Sequence, residues 1–259
     1  MIEYPDIKPY LFKAGSIELR WYGMMYLLGF LASYLIVRSQ VKKKNIAVSG
    51  EEIENIFFFV MLGLVLGARV GYALIYNTAY YAAHPLEILA IWHGGMSFHG
   101  GLIGAVTAPW LYCRKRGLDF AALADIAIVT APIGLGLGRI GNFINAELFG
   151  RPTDAPWGMV FPNSDGVPRH PSQLYESFLE GAVLFVLLWF LKGRVKTRGG
   201  MVCMFLIFYG AMRFTAEFFR EPDRQMGFFM LGALTMGQML CLAMTAAGVA
   251  AFAILRYRK

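Results

Sequence analysis

Apolar residues run through this chain in long blocks, at about 21–38, 54–76, 96–113, 121–138, 173–191, 201–219 and 232–255. About 20 apolar residues is the length at which a helix crosses a bilayer. The pattern therefore predicts an all-α polytopic membrane protein with about seven transmembrane helices. One stretch breaks the alternation: at 139–172, Pro152, Pro156, Pro162 and Pro168 stand among Asp, Asn and Gly. That composition predicts an irregular, non-spanning excursion within a single integral membrane domain covering 1–259. Composition agrees, with 57% hydrophobic and 16% charged residues against about 25% charged in a soluble domain. The opening MIEYPDIKPYLFKAG has no basic segment ahead of an apolar run, so it is not read as a signal peptide. The first apolar block must itself insert.

A net charge of +7 suggests nucleic acid only until the charges are placed on the spans. Arg38, Lys42, Lys43 and Lys44, Arg114, Lys115 and Arg116, Lys192, Arg194, Lys196 and Arg198, and Arg256, Arg258 and Lys259 fall on one side, fourteen of the 24 basic residues. Lys8, Lys13, Arg20, Arg139, Arg151, Arg169, Arg220 and Arg224 fall on the other, and the loop at 77–95 has no Lys or Arg. The positive-inside rule then puts the N-terminus outside and the C-terminus in the cytoplasm. Basicity here reports topology, and no nucleic-acid partner is expected.

With that orientation the polar side chains gather in the outer halves of the spans. Tyr22 and Tyr26 open span 1, Arg69, Tyr72 and Tyr76 close span 2, and Ser97 and His99 open span 3. Arg139 and Asn142 end span 4, while Tyr209, Arg213, Glu217 and Arg220 recur along one face of span 6. The inner halves are apolar apart from Asp125. A charge at bilayer depth needs a partner or a polar cavity, so a polar cavity in the outer half is predicted. Arg213 and Glu217 can pair, either as part of that cavity or as a staple between helices. Arg69 fits snorkelling or a supporting hydrogen bond. Gly63, Gly67 and Gly71 form a small-residue stripe for close helix packing.

Glycines 134, 136, 138 and 141 follow no strand, which argues against a nucleotide loop and predicts an interruption of span 4 that leaves Arg139 at a loosened helix end. His93 and His99 lack a carboxylate at ligand spacing, so no metal site is expected; His99 fits a hydrogen-bonding or a proton-handling role. Cys113, Cys203 and Cys241 lie in apolar runs and form no disulfide framework or zinc spacing. HExxH, GxSG, GxGD and DxxDG patterns are absent, which disfavours the common intramembrane hydrolases and metal enzymes.

The segment Gly138-Arg-Ile-Gly-Asn-Phe-Ile-Asn-Ala-Glu-Leu-Phe-Gly150 resembles the signature GRxGNFxNxExxG of bacterial prolipoprotein diacylglyceryl transferases. Trp21–Tyr26, Gly67–Tyr72, Gly94–Gly104, Arg169–Glu176 and Tyr209–Arg220 look like the family's other blocks, in order. The resemblance runs from about residue 16 to the C-terminus. It implies transfer of the sn-1,2-diacylglyceryl group from phosphatidylglycerol to the lipobox cysteine thiol of a prolipoprotein signal peptide. A thioether forms and glycerol phosphate leaves, at the extracytoplasmic side of a bacterial cytoplasmic (inner) membrane. Carried over by motif, Arg139 and Arg213 would bind the phosphatidylglycerol head, Tyr22, Asn142, Glu147, Gly150, Tyr209 and Glu217 would shape the site, and His99 is a candidate base.

That chemistry suits the residues. Phosphate departure calls for cations, and Arg offers a planar two-pronged donor; the incoming thiol must lose its proton. No metal or other cofactor is required. A rival, an anion transporter or channel, would place Arg139, Arg213 and Glu217 at a midplane site, usually between internal repeats. No such repeat is visible in the sequence, and the polar residues form no through-path.

Overall fold

The computed structural model describes residues 2–15, 17–221, 228–229 and 234–257. The expected outer-side Arg224, the basic Arg258 and Lys259, and residues 232 and 233 of the seventh expected span lie outside the described residues. Seven long helices follow the apolar blocks: α1 Trp21–Lys43, α2 Gly50–Ile75, α3 Phe98–Arg116, α4 Phe120–Ile144, α5 Ser172–Leu191, α6 Gly200–Glu217 and α7 Met236–Tyr257. Six of them, all but α3, are long and apolar enough to cross a membrane. The chain is therefore an all-α, multi-pass membrane protein. Helix α3 spans 19 residues, but His99 and its glycines at one end and Arg114, Lys115 and Arg116 at the other dilute its apolar content.

The helix ends follow local chemistry. Ser49 caps α2 reciprocally: its Oγ accepts from Glu52 N at 3.1 Å, and Glu52 Oε2 accepts from Ser49 N at 2.7 Å. Ser97 Oγ accepts from Gly100 N at the start of α3, and Gly117, with φ of 68°, ends that helix in the left-handed region. Asp125, the polar exception among the inner halves, caps α6 from α4. Its carboxylate accepts from the amides of Gly199, Met201 and Val202 at 2.7, 2.9 and 3.1 Å.

Two compact units emerge, residues 38–123 and residues 1–37 with 124–259. In the first, the expected stripe is a backbone-to-backbone seam. A Cβ on Gly67 would meet Gly100 O at 2.3 Å, and one on Gly63 would meet Gly104 O at 2.2 Å. Between α2 and α3 the chain folds into a short helix, Thr78–Ala83, and two 3-10 turns, Pro85–Leu89 and Ile91–His93.

In the second unit the interruption expected at Gly134–Gly141 is not found, because α4 continues through those glycines to Ile144. They serve close approach instead. Gly134 lies against Gly29, Gly136 against Gly181, and Gly141 against the Tyr22 ring. The irregular turns fall elsewhere. A 3-10 turn, Ile128–Thr130, precedes Pro132, and a π turn occupies Ser177–Val183 in α5. Val129, Leu184, Leu188 and Met201 form the buried apolar core beneath these turns.

Residues 145–171 form the excursion. Strand β1 (Ile2–Glu3) pairs in parallel with β4 (Met159–Val160), while β2 (Tyr10–Ala14) and β3 (Ile17–Arg20) make a hairpin leading into α1. A third pair, β5 (Phe228–Phe229) with β6 (Leu234–Thr235), precedes α7. The Tyr4 hydroxyl meets the carbonyls of Phe143 and Ile144 at 2.7 and 3.0 Å, closing the end of α4. Arg169 binds the Asp165 carboxylate through Nε and Nη2, and Gly150 O and Glu221 through Nη1.

Two outcomes follow. Gly67→Leu forces a branched side chain into the α2–α3 seam, and overpacking of this kind costs about 1–3 kcal/mol; the thermal midpoint of the detergent-solubilised protein should fall, whereas Gly23→Leu, where nothing lies within 4 Å, should leave it in place. Secondly, hydrogen bonding to Arg169 holds the Asp165 carboxyl down at about 2. A depressed carboxyl stabilises the fold in full above its ordinary value near 4, and that contribution is lost progressively as pH falls from there through 2. Exchange of the Arg169 amide, which donates to Met159 O at 2.8 Å, should stay slow above about pH 4 and quicken progressively from there through about pH 2; in Asp165→Asn that acid transition should vanish.

Candidate functional site

The second unit buries a cluster of charge among its apolar helices. Arg213, in the last half of α6, is 8% exposed. Its Nη2 donates to Glu217 Oε2 at 2.7 Å, one turn along the same helix, and its Nη1 reaches Glu180 Oε1 at 3.4 Å and Glu176 Oε2 at 3.1 Å on α5. Arg139 comes from α4 and sets Nε 2.7 Å from the same Glu176 oxygen. Glu217 is held in turn by the Thr235 hydroxyl at 3.2 Å, with Arg220 Nη1 at 3.8 Å. Three helices are thus tied by two guanidiniums and three carboxylates.

This arrangement decides what each arginine is free to do. Both terminal nitrogens of Arg213 face carboxylates, so the staple is real and its guanidinium is engaged. Arg139 spends its Nε edge on Glu176, and its Nη groups make no hydrogen bond to any described residue. Its side chain is also 21% exposed, against 10% for Arg213. The planar fork of Arg139 therefore stays available while its orientation is fixed from behind.

A second polar group stands at the end of α4. Glu147 Oε1 accepts from Asn142 Nδ2 at 2.8 Å and from Asn145 Nδ2 at 3.2 Å, and Gln173 donates to the Glu147 carbonyl at 2.6 Å. Ala146 and Leu148 on either side carry φ of 51° and 56°, left-handed conformations that non-glycine residues adopt at a cost of about 1–3 kcal/mol. Neighbouring contacts must hold them. The buried Asn142 and the flanking amides do so, aiming the carboxylate at a fixed place.

The remaining expected residues divide. Tyr22 packs its ring on Gly141, with its hydroxyl 3.1 Å from that of Tyr26 and within electrostatic reach of Arg139 and Glu147. Tyr209 stacks on Phe205 at 5.3 Å and lies within electrostatic reach of Glu180, Arg213 and Arg139. Gly150 is a backbone junction: its amide donates to His170 O at 2.8 Å, and a Cβ there would meet Phe219 O at 2.2 Å. His99 belongs to the other unit, where it is exposed one residue into α3 with its ring edge-on to Phe98. Arg69, also in that unit, is fully engaged with backbone carbonyls.

Sequence reading missed Glu180 and gave Glu176 no role. Both are fully buried. The signal lies in the sequence, since two carboxylates four residues apart in an otherwise apolar span need cations, and the spans before and after it carry Arg139 and Arg213. Removing one member of a buried pair leaves its partners uncompensated, at about 3–5 kcal/mol. Arg213→Ala and Glu217→Ala should therefore each lower the unfolding free energy of the solubilised protein by that amount, and Glu180→Gln by much less, because a neutral amide still accepts from Arg213.

Comparison with known proteins places the chain among close relatives. The family model described as prolipoprotein diacylglyceryl transferase matches residues 9–254. The phosphatidylglycerol–prolipoprotein diacylglyceryl transferase of Geobacter sulfurreducens is 48% identical over 100% of this chain and 99% of its own length. The enzymes of the same name from Nitratidesulfovibrio vulgaris strain DP4 and Legionella pneumophila strain Paris are 48% and 45% identical over 96% of this chain, covering 95% and 97% of their own lengths.

Proposed function

The chain belongs to the prolipoprotein diacylglyceryl transferase family, and from that premise we propose how its charged cluster performs the transfer. The protein is a transferase that moves the diacylglyceryl group of phosphatidylglycerol to prolipoproteins during lipoprotein maturation. The acceptor is the thiol of a lipobox cysteine in the signal peptide. Its sulfur attacks the glyceryl carbon that bears the phosphate, a C–S bond forms, the C–O bond to phosphate breaks, and glycerol phosphate departs with the bonding pair.

The observation that carries this reading is Arg139, anchored at Nε by Glu176 with its Nη groups left to meet a phosphate in two-pronged fashion. Arg213 adds positive charge from within the cluster and holds Glu176 and Glu180 in place, so that Arg139 keeps its aim. Glu217, Tyr209 and Tyr22 border the lipid head, and Asn142, Glu147 and Gly150 fix the turn that flanks it. His99 accepts the thiol proton; the guanidiniums of Arg139 and Arg213 favour the thiolate by charge, so the base assists rather than acts alone. The acyl chains and the signal peptide both arrive from membrane lipid.

The charge count along the chain supports an outside N-terminus and a cytoplasmic C-terminus across seven spans. In this reading the site and the excursion face the extracytoplasmic side of a bacterial inner membrane, and residues 1–259 act as one integral membrane domain.

The test is glycerol phosphate release from phosphatidylglycerol vesicles with a lipobox peptide, at matched amounts of folded protein. Removing a preorganised donor to developing charge costs about 10²–10³ in rate, so Arg139→Ala should nearly abolish turnover. Arg139→Lys should lose most of it, because an ammonium keeps the charge without the fork. Near-native turnover in Arg139→Lys would defeat the phosphate clamp.

A further inference from the structure

Arg69 is among the largest fully buried side chains of the described residues, 2% exposed, and its hydrogen-bond acceptors among those residues are all backbone carbonyls. Its Nε donates to Ile88 O at 2.9 Å, Nη2 to Glu87 O and Ala90 O at 2.7 and 2.8 Å, and Nη1 to Gly94 O and to Gly95 O, the latter at 3.2 Å. A guanidinium has five N–H donors, and each is taken by a carbonyl of one loop. The Tyr81 ring covers it at 5.2 Å. Nothing remains with which to grip a substrate.

The clamped loop leads directly into α3. Gly94, at φ 78° and ψ −162°, occupies a region open essentially to glycine alone. Gly95, at φ 76°, lies where a Cβ would strike the Tyr72 ring at 2.4 Å. Two residues on, the Ser97 amide donates to Ala68 O at 2.8 Å, and Ser97 caps the helix. Adjacent residues of α2, Ala68 and Arg69, thus fix both the loop and the first turn of α3, the turn that carries His99. With the loop's carbonyls drawn inward, Leu86, Leu89 and Trp92 are left 82%, 70% and 76% exposed.

We propose that Arg69 is a positioning residue that sets the His99 end of α3 through the backbone of residues 87–95 and takes no part in phosphate binding. The inference rests on the reading of His99 as the thiol base, and the experiment separates the two. With purified full-length protein in phosphatidylglycerol vesicles, Arg69→Lys should lower kcat about 10²-fold, the scale set by displacing a reacting group by about 1 Å. KM for phosphatidylglycerol should stay unchanged, and the rate should rise with pH, as is expected also of His99→Gln once the thiol must ionise without a base. In a His99→Gln background the same change should add less than about 2-fold, since groups acting as one unit are not additive. Gly94→Ala should reproduce the pattern with the guanidinium intact, because its backbone strains an L side chain although nothing lies within 4 Å of the new Cβ. Amides of 85–95 should exchange faster in folded Arg69→Lys while those of α2 stay protected. Full additivity with His99→Gln, native exchange across 85–95, or a raised KM at native kcat would each overturn the proposal. Should His99→Gln alone leave rate and pH profile unaltered, the base assignment falls by itself, and the exchange rates still decide whether Arg69 holds the loop.

Discussion

A guanidinium at bilayer depth keeps its charge only while anions or dipoles replace the water it has lost, and the second unit of this protein is organised around that requirement. Moving an arginine to the centre of a membrane costs roughly 2.5–3.5 kcal/mol on insertion scales. The cost is offset here by Glu176, Glu180 and Glu217, which are themselves expensive to bury alone. Neither sign is tolerable without the other. The positions of α4, α5 and α6 follow from the need to bring these groups together, and the glycines that let α4 approach α5 at Gly136 and Gly181 make that meeting possible.

The two buried arginines of the spans, Arg69 and Arg213, meet the same constraint by different means. Arg213 is satisfied by charge, so its surroundings stay polar and electrostatically responsive. Arg69 is satisfied by carbonyl dipoles, so it orders backbone without creating an anionic neighbourhood. The difference separates the units: one ties three helices together by charge pairs, while the other pins a loop by its own carbonyls.

The helical frame was readable because lipid imposes a length and an apolarity on any spanning segment, and the stripe at Gly63, Gly67 and Gly71 was readable because close packing repeats with the helix. The pairing of Arg213 with Glu217 was readable from their spacing of four. What could not be read was everything that depends on backbone carbonyls or on partners far apart in the chain. Arg69 looked like a snorkelling or supporting residue because its five acceptors are main-chain oxygens, which every residue type carries. Gly134 to Gly141 suggested a break in α4 because glycine frees a backbone and equally admits a neighbour, and sequence alone does not say which use is made of it. Glu180 stood visibly in an apolar span, but its cation Arg213 lies 33 residues further on, a pairing that spacing alone does not give.

The Asp125 cap and the Arg139–Glu176 pair also bear on the order in which the protein is made. Synthesis proceeds from the N-terminus, so α4 leaves the ribosome carrying a carboxylate at one end and a guanidinium at the other before either has its partner. Arg139 waits for Glu176, and Asp125 waits 74 residues for Gly199. Helix α4 thus gains the partners of both charges only after α5 and α6 have followed it, and a chain ending after α5 would carry Glu180 without Arg213.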